Sequence, residues 1–494
     1  MNQRKRKRGA AAHVGIYAFG TITRQIVGFL MLPIYTRYLT PADYGIVAML
    51  TLLLSIFELV IGARFAQAIP KFYFEQDGGR ERGTVIGTAL AVTVTSSAIG
   101  ALILVLTAKP LAGAFLADSS LSHYIALYGL TLVTVAIENY GLTFIRLQDK
   151  PVLFVAMSLA KLMLALTLNI VLVVFLEWGV AGVVVSTVVS SATVALAMGA
   201  YTLYHTGGLR VSLSLAKRLI RFSWPLWVAG VATVYINFAN RFLIRFFGDL
   251  SEVGLYDLAA RFGSLIVILV WQPFTQWWQT ERFQLLNRDD LGRPVFRSVY
   301  SVVTAALVFI GTGISLFADT VIRVMADPAF HAASLAVPPL AFTVVLQQMA
   351  MYHNFSFLAS EKTGYIAVLK YGSAILLTVV FALAIPRFGY LGAAYASLFA
   401  AAIMLIITFV YAIRAHDTSA RLWPSGAYLA TGALIALTDL FATRGQGLWI
   451  SIAIKLALSC LMLAIFWWLL DRDEATRERW RLLRTTIANR LSRS

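Results

Sequence analysis

"RYLTPADYG", residues 37–45, separates two long apolar runs, and 209 residues further on "RFFGDLSEVG", residues 245–254, separates two more. In the first stretch Thr40 is placed to cap a helix. Pro41 takes the first helical position and Asp43 stands three residues after the cap, the pattern of a capping box. Asp249 and Glu252 repeat the arrangement with two acids, and Gly45 and Gly254 follow at the same offset. Two further pairs keep nearly that spacing: "WGVAGVVVST" (178–187) with "FGYLGAAYAS" (388–397), and "QDKPVLFVAM" (148–157) with "SEKTGYIAVL" (360–369). Three matches at nearly one offset, in corresponding places, indicate a tandem duplication.

The duplicated unit is a block of membrane helices. Of the 494 residues 59% are hydrophobic and 13% charged, where a soluble protein averages roughly a quarter charged. Apolar runs of roughly 20 residues follow one another, each long enough to cross a hydrocarbon core of about 30 Å. An outer-membrane barrel is excluded, because its strands would be about 10 residues long and would alternate polar with apolar. The expectation is an all-α polytopic membrane protein with about 14 transmembrane helices. Six fall in each copy, an even number, so the copies run parallel. The expected division is a basic cytoplasmic N-terminus (1–11), an N-lobe of spans 1–6 (12–215), a C-lobe of spans 7–12 (216–415), spans 13 and 14 (416–470), and a tail (471–494). In that tail Trp480, Leu483, Ile487 and Leu491 recur at helical spacing among five arginines, a basic amphipathic helix suited to an anionic membrane surface.

Lys and Arg set the orientation. The loops and termini on one side collect 28 of them, and the opposite loops hold six. The positive-inside rule then places both termini in the cytoplasm. It also accounts for most of the net charge of +17, so no nucleic-acid partner is implied. "RKRKR" (Arg4–Arg8) resembles the basic start of a signal peptide, but no small-residue cleavage site follows, and the first apolar run reads as a retained helix. The single Cys460 allows no intramolecular disulfide, and the six histidines lack metal-ligand spacing. There is no phosphate-binding G-x-x-x-x-G-K-[ST] loop, so no metal or nucleotide cofactor is expected.

"LPIYTRYLTPADYGIVAML" (32–50), the apolar run behind it and the G-x-x-G helix starts resemble the polysaccharide-unit (O-antigen type) flippases of the multidrug/oligosaccharidyl-lipid/polysaccharide exporter superfamily. The resemblance covers roughly residues 12 to 470. It implies a two-lobed transporter of the inner membrane with a central cavity, working by alternating access rather than as an enzyme. The implied cargo is a polyprenyl-pyrophosphate-linked oligosaccharide, an O-antigen, capsule or exopolysaccharide repeat unit. Membrane lipids and a polysaccharide polymerase or export machinery are the implied partners. A drug antiporter of the same superfamily and a membrane-embedded glycosyltransferase or polymerase are the rival readings.

Charges inside spans are costly unless they face water or a partner, and so they are the candidate site residues. The cations are Arg24, Arg64, Lys161, Arg241, Arg261, Lys370 and Lys455, and the acids Glu58, Glu138, Asp257 and Asp439. Seven cations against four acids favour an anionic cargo, since guanidinium groups grip phosphate oxygens in pairs. Arg24, Arg64, Arg241 and Arg261 lie on spans 1, 2, 7 and 8, where the resemblance implies substrate contacts. Lys161 and Lys370 sit 209 residues apart, at equivalent places in the two copies. Each cation also has a structural alternative: Arg261 can pair with Asp257 four residues earlier, and Arg64, Lys161 and Lys370 can reach the interface. Glu58, Glu138 and Asp439 have no nearby cation in sequence, which leaves coupling to a proton or sodium gradient open beside cross-helix pairing. "WQPFTQWWQ" (271–279) reads either as an interfacial aromatic belt or as a sugar-stacking surface, and Pro273 predicts a kink in span 8.

Overall fold

The computed structural model describes residues 31–60, 69–76, 78–286, 292–362, 364–416, 422–443 and 445–472. The first expected span and the basic tail fall largely outside these residues. Eleven helical segments are long and apolar enough to cross a membrane. One of them, Gly364–Ala415, is two helices broken at Gly389, whose φ of 55° and ψ of −140° only glycine adopts readily. A further helix, Leu213–Phe247, is 35 residues long but carries five Lys or Arg residues. Together these make 13 candidate crossings among the described residues, and the first expected span lies largely outside them.

The chain folds into two compact units, Met1–Gly254 and Leu255–Ser494. The first holds α1 (Pro41–Val60), α2 (Gly79–Leu106), α3 (Thr131–Leu147), α4 (Pro151–Asn169), α5 (Gly179–Thr206), α6 (Leu213–Phe247) and the start of α7 (Leu250–Ile266). The second holds the rest of α7, then α8 (Gln272–Leu286), α9 (Gly292–Met325), α10 (Val337–Ala359), α11 (Gly364–Ala415), α12 (Leu422–Ala442) and α13 (Leu448–Arg472). The sequence duplication divides near residue 215. The compact unit extends to Gly254 because α6 packs on α1 and α2.

The punctuation that reveals the duplication is built as predicted. Thr40 N and Oγ1 both donate to Asp43 Oδ2, at 2.9 and 2.7 Å, and Asp43 N donates to Thr40 Oγ1 at 3.2 Å. In the second copy Glu252 N donates to Asp249 Oδ1 at 2.8 Å. The sequence did not predict that the two helix starts would meet. A Cβ on Gly45 would stand 1.9 Å from the Leu250 carbonyl oxygen, and one on Gly254 only 2.0 Å from that of Pro41. Each glycine therefore admits the backbone of the other copy. The G-x-x-G starts also share one mechanism. Gly179 (φ 53°) and Gly389 (φ 55°) turn the chain, while Gly182 and Gly392 let the helix that follows pack against the one before, on Leu172 and Ala384 respectively.

Within the first unit, Thr93 Oγ1 donates to Tyr140 OH at 2.7 Å between α2 and α3. Gly141 leaves no room for a Cβ against Met198, so α3 and α5 cross closely. In the second unit Trp278 is 2% exposed. It stacks on Tyr352 with ring centroids 5.7 Å apart and meets Phe296 edge-on at 5.1 Å. Trp278 is therefore core, and the interfacial-belt reading survives only for Trp277, which is 53% exposed. Span 8 responds to Pro273 with a π-helical turn, Val267–Trp271, directly ahead of it. The widened turn accommodates a residue that lacks an N–H and whose ring crowds the preceding turn. The α12–α13 hairpin lies along α9, with Ser301 Oγ 3.2 Å from Tyr428 OH and Gly432 pressed against Thr312.

Candidate functional site

A cavity of about 300 Å³ opens inside the first unit between α1, α3 and α6. Its polar lining comes from Ser55 and Glu58 of α1, Asn139 and Tyr140 of α3, and Asn237 of α6, set among Leu59, Leu132, Val234 and Phe238. One carboxylate, two carboxamides and two hydroxyls thus converge in an otherwise apolar bundle. Helical spacing produces the set: Ser55 and Glu58 share a face at i, i+3, and on α6 Asn237 and Phe238 stand three and four residues after Val234. Such groups in a membrane helix are costly unless they serve water, an ion or a ligand.

Arg241 stands one turn beyond Asn237. Its Nη1 donates to the Asn237 carbonyl at 3.0 Å, and its guanidinium carbon lies 5.4 Å from the Phe238 ring centroid. Arg241 is therefore carried by the same stretch of α6 that lines the cavity. Arg24 and Arg64 lie outside the described residues. The other candidates are placed elsewhere. Lys161 Nζ of α4 sits 2.5 Å from Glu138 Oε2 of α3, joining two candidate residues from different helices into one ion pair. Glu138 precedes Asn139 in the chain but faces α4 instead of the cavity. Arg261 Nε lies 3.4 Å from Asp257 Oδ2 on α7, as the four-residue spacing predicts, with Asp257 buried and the Arg261 side chain 43% exposed. Lys370 lies on an exposed turn of α11. Lys455, for which the sequence offers no account, is buried at 3% exposure. It lies 3.9 Å from Asp439 Oδ2 and donates to Thr320 Oγ1 of α9 at 2.9 Å.

Sequence reasoning restricted to ionisable groups missed the neutral part of the cavity: Ser55, Asn139, Tyr140 and Asn237. A usable signal was present, since asparagine is rare in an apolar run and both asparagines stand in one, at 139 and 237.

The fold defines a class. The chain superposes on the "Lipid II flippase MurJ, inward closed conformation" with a TM-score of 0.71 at 11% identity, covering 92% of this chain and 99% of that one. An inward-facing multidrug resistance transporter of the MATE family of the MOP superfamily gives 0.64 at 16%, covering 80% and 95%. A mutant of the Vibrio cholerae MATE transporter VcmN gives 0.52 at 14%, covering 83% and 98%. At these identities the likeness is one of fold, and the fold is that of MATE-type transporters and flippases. No significant match is found among individually curated proteins. Residues 10–277, just over half of the chain, match the family model described as "Polysaccharide biosynthesis protein", and the chain belongs to that family.

Proposed function

We propose that this protein moves a polyprenyl-pyrophosphate-linked oligosaccharide, the repeat unit of an O-antigen, capsule or exopolysaccharide, from the inner to the outer leaflet of the cytoplasmic membrane by alternating access. The observation that carries the proposal is a polysaccharide-biosynthesis family membership on a flippase-type fold. Physical chemistry supplies the need: each sugar hydroxyl left unpaired in hydrocarbon costs roughly 2–7 kcal/mol. A polar passage removes that cost. Outward movement of a pyrophosphate also runs with an inside-negative potential, gaining about 2.3 kcal/mol per charge per 100 mV. The protein then transports and does not catalyse. In this proposal both termini are cytoplasmic, Arg24, Arg64, Arg241 and Arg261 attract the pyrophosphate, and polymerase or export machinery receives the product outside.

Glu58 is the acid best placed for proton or sodium coupling, because it alone of the four candidates lines the cavity. Asp257, Glu138 and Asp439 each face a cation at 3.9 Å or less. The test is leaflet accessibility of the lipid-linked oligosaccharide in cells carrying Arg241→Met, Arg261→Met or Glu58→Gln at normal protein levels. Both arginine variants are expected to trap the glycolipid on the inner leaflet, and Glu58→Gln to abolish any dependence of the rate on pH or sodium. Normal flipping in cells lacking the protein altogether, with altered drug efflux, would replace this function with the antiporter reading.

A further inference from the structure

α6 is longer than a crossing requires. Its 35 residues, Leu213–Phe247, measure about 52 Å, where about 20 residues cross the hydrocarbon. The helix nevertheless begins level with a membrane boundary. In α2, about 20 residues counted back from its end at Leu106 reach Gly87, and the chain just ahead of α6 is fastened there. A Cβ on Gly87 would stand 2.5 Å from the Arg210 carbonyl oxygen, and Ser212 N donates to Thr88 Oγ1 at 3.0 Å. A helix with this much surplus between two boundaries tilts or bends. Its first turns, residues 213–224, therefore lie in the headgroup layer.

At 100° per residue this segment divides into three faces. Ala216, Leu219 and Ser223 are buried, with Leu219 in the cluster of Ile86, Leu90 and Phe144. The short helix Ile69–Phe74 and Glu75 after it take one flank. There Phe222 meets Phe72 edge-on with centroids 5.7 Å apart, and Arg218 Nη2 lies 3.5 Å from Glu75 Oε2. The remaining face is exposed. Leu213, Ile220 and Trp224, at 73%, 48% and 56% exposure, fall within about 40° of one another, and Lys217 and Arg221 border them within the next 60° or so. Unlike Arg218, neither Lys217 nor Arg221 has an acidic partner among the described residues.

Lys217 and Arg221 stand one helical turn apart, where like charges repel. An anion shared between them removes that cost, and their neighbours restrict what carries the anion. A free phosphate or an acidic peptide would leave three large apolar side chains in water. An anionic phospholipid meets both halves of the face: its phosphodiester at Lys217 and Arg221, its glycerol and upper acyl carbons at Leu213, Ile220 and Trp224. Tryptophan suits that depth, having an apolar body and one polar N–H.

We infer that this face of α6 is a binding surface for anionic phospholipid headgroups. The full chain in detergent is titrated with phosphatidylglycerol or phosphatidylcholine, and bound lipid is read by native mass spectrometry. Wild type is expected to hold phosphatidylglycerol more tightly. Lys217→Gln with Arg221→Gln should lower the affinity for phosphatidylglycerol about tenfold or more and leave phosphatidylcholine unchanged. Exchanging the two cations, Lys217→Arg with Arg221→Lys, should keep most of the preference. Lys362→Gln with Arg414→Gln removes the same charge from exposed positions of the second unit and should keep it fully. Equal loss in both glutamine variants would make the preference a matter of net charge and overturn the surface. A Lys217→Gln, Arg221→Gln variant that still prefers phosphatidylglycerol overturns it too. Bare undecaprenyl pyrophosphate is the third probe: if it displaces phosphatidylglycerol at lower concentration, and only when Lys217 and Arg221 are present, the face belongs to the proposed cargo instead.

Discussion

Lys455→Met tests how the C-terminal hairpin is held to the second unit. Lys455 is 3% exposed and Asp439 8%. Their charges lie 3.9 Å apart, a gross attraction of about 4 kcal/mol at an effective dielectric of 20. Desolvation offsets most of that, so the intact pair contributes little net stability. Its removal from one side is different. Without Lys455, Asp439 Oδ2 loses its counter-ion, and Oδ1 already lacks a hydrogen-bond partner among the described residues. Thr320 Oγ1 also loses its donor. The expected destabilisation is about 3–5 kcal/mol. Adding Asp439→Asn removes the stranded charge, and the double variant should return to within about 1 kcal/mol of wild type. Unfolding of the full chain by SDS titration in bicelles, followed by tryptophan fluorescence, measures all four corners of the cycle. Additive single effects, or a neutral Lys455→Met, would refute the reasoning that α12 and α13 are fastened to α9 through this pair.

The meeting of the two helix starts yields a geometric prediction. Gly45→Ala places a methyl carbon 1.9 Å from the Leu250 oxygen, so the backbones must part by about 1–2 Å to reach ordinary contact. Electron-resonance distances between labels at Ala42 and Ser251 should lengthen, and an unchanged distance with unchanged stability would count against the contact. For the other ion pair, Lys161→Met leaves Glu138 stranded with its side chain only 10% exposed, and about 3 kcal/mol of destabilisation is expected. Glu138→Gln in the same chain should recover most of it in the same unfolding assay, whereas Lys370→Met, at the equivalent but exposed position, should cost less than Lys161→Met alone.

Features written into the backbone were legible in the sequence. A capping box or a G-x-x-G turn is local: three or four residues determine its hydrogen bonds, so Thr40–Asp43, Gly179 and Gly389 could be read without knowing what surrounds them. Asp257 and Arg261 were legible for the same reason, being one helical turn apart. Cross-helix partners were not. Nothing near Glu138 in sequence points to Lys161, 23 residues away and across a turn, and nothing near Lys455 points to Thr320. The amphiphilic character of Trp278 fits a membrane interface as well as a core, and only packing on Tyr352 and Phe296 decides between them. The cavity was not legible from the pattern of charge, because four of its five polar groups are neutral.

Duplication has kept the scaffold and released the chemistry. The helix starts at 40 and 249 and the turns at 179 and 389 use the same devices in both copies, yet the ionisable residues almost never correspond. At the offset of 209, Glu58 faces Val267, Asp257 faces Ala48 and Arg261 faces Leu52. Lys161 and Lys370 are the exception, and there the residue corresponding to Glu138 is Gln347. Backbone punctuation is constrained by the fold, because a change at Gly45 or Gly389 strains the chain whatever the protein transports. Intramembrane charge is constrained only by its use. Two copies that shared one cargo site symmetrically would be expected to keep matching charges around it. Their divergence here gives the first unit a polar cavity with Glu58 in its lining, where the corresponding position of the second copy, Val267, is apolar.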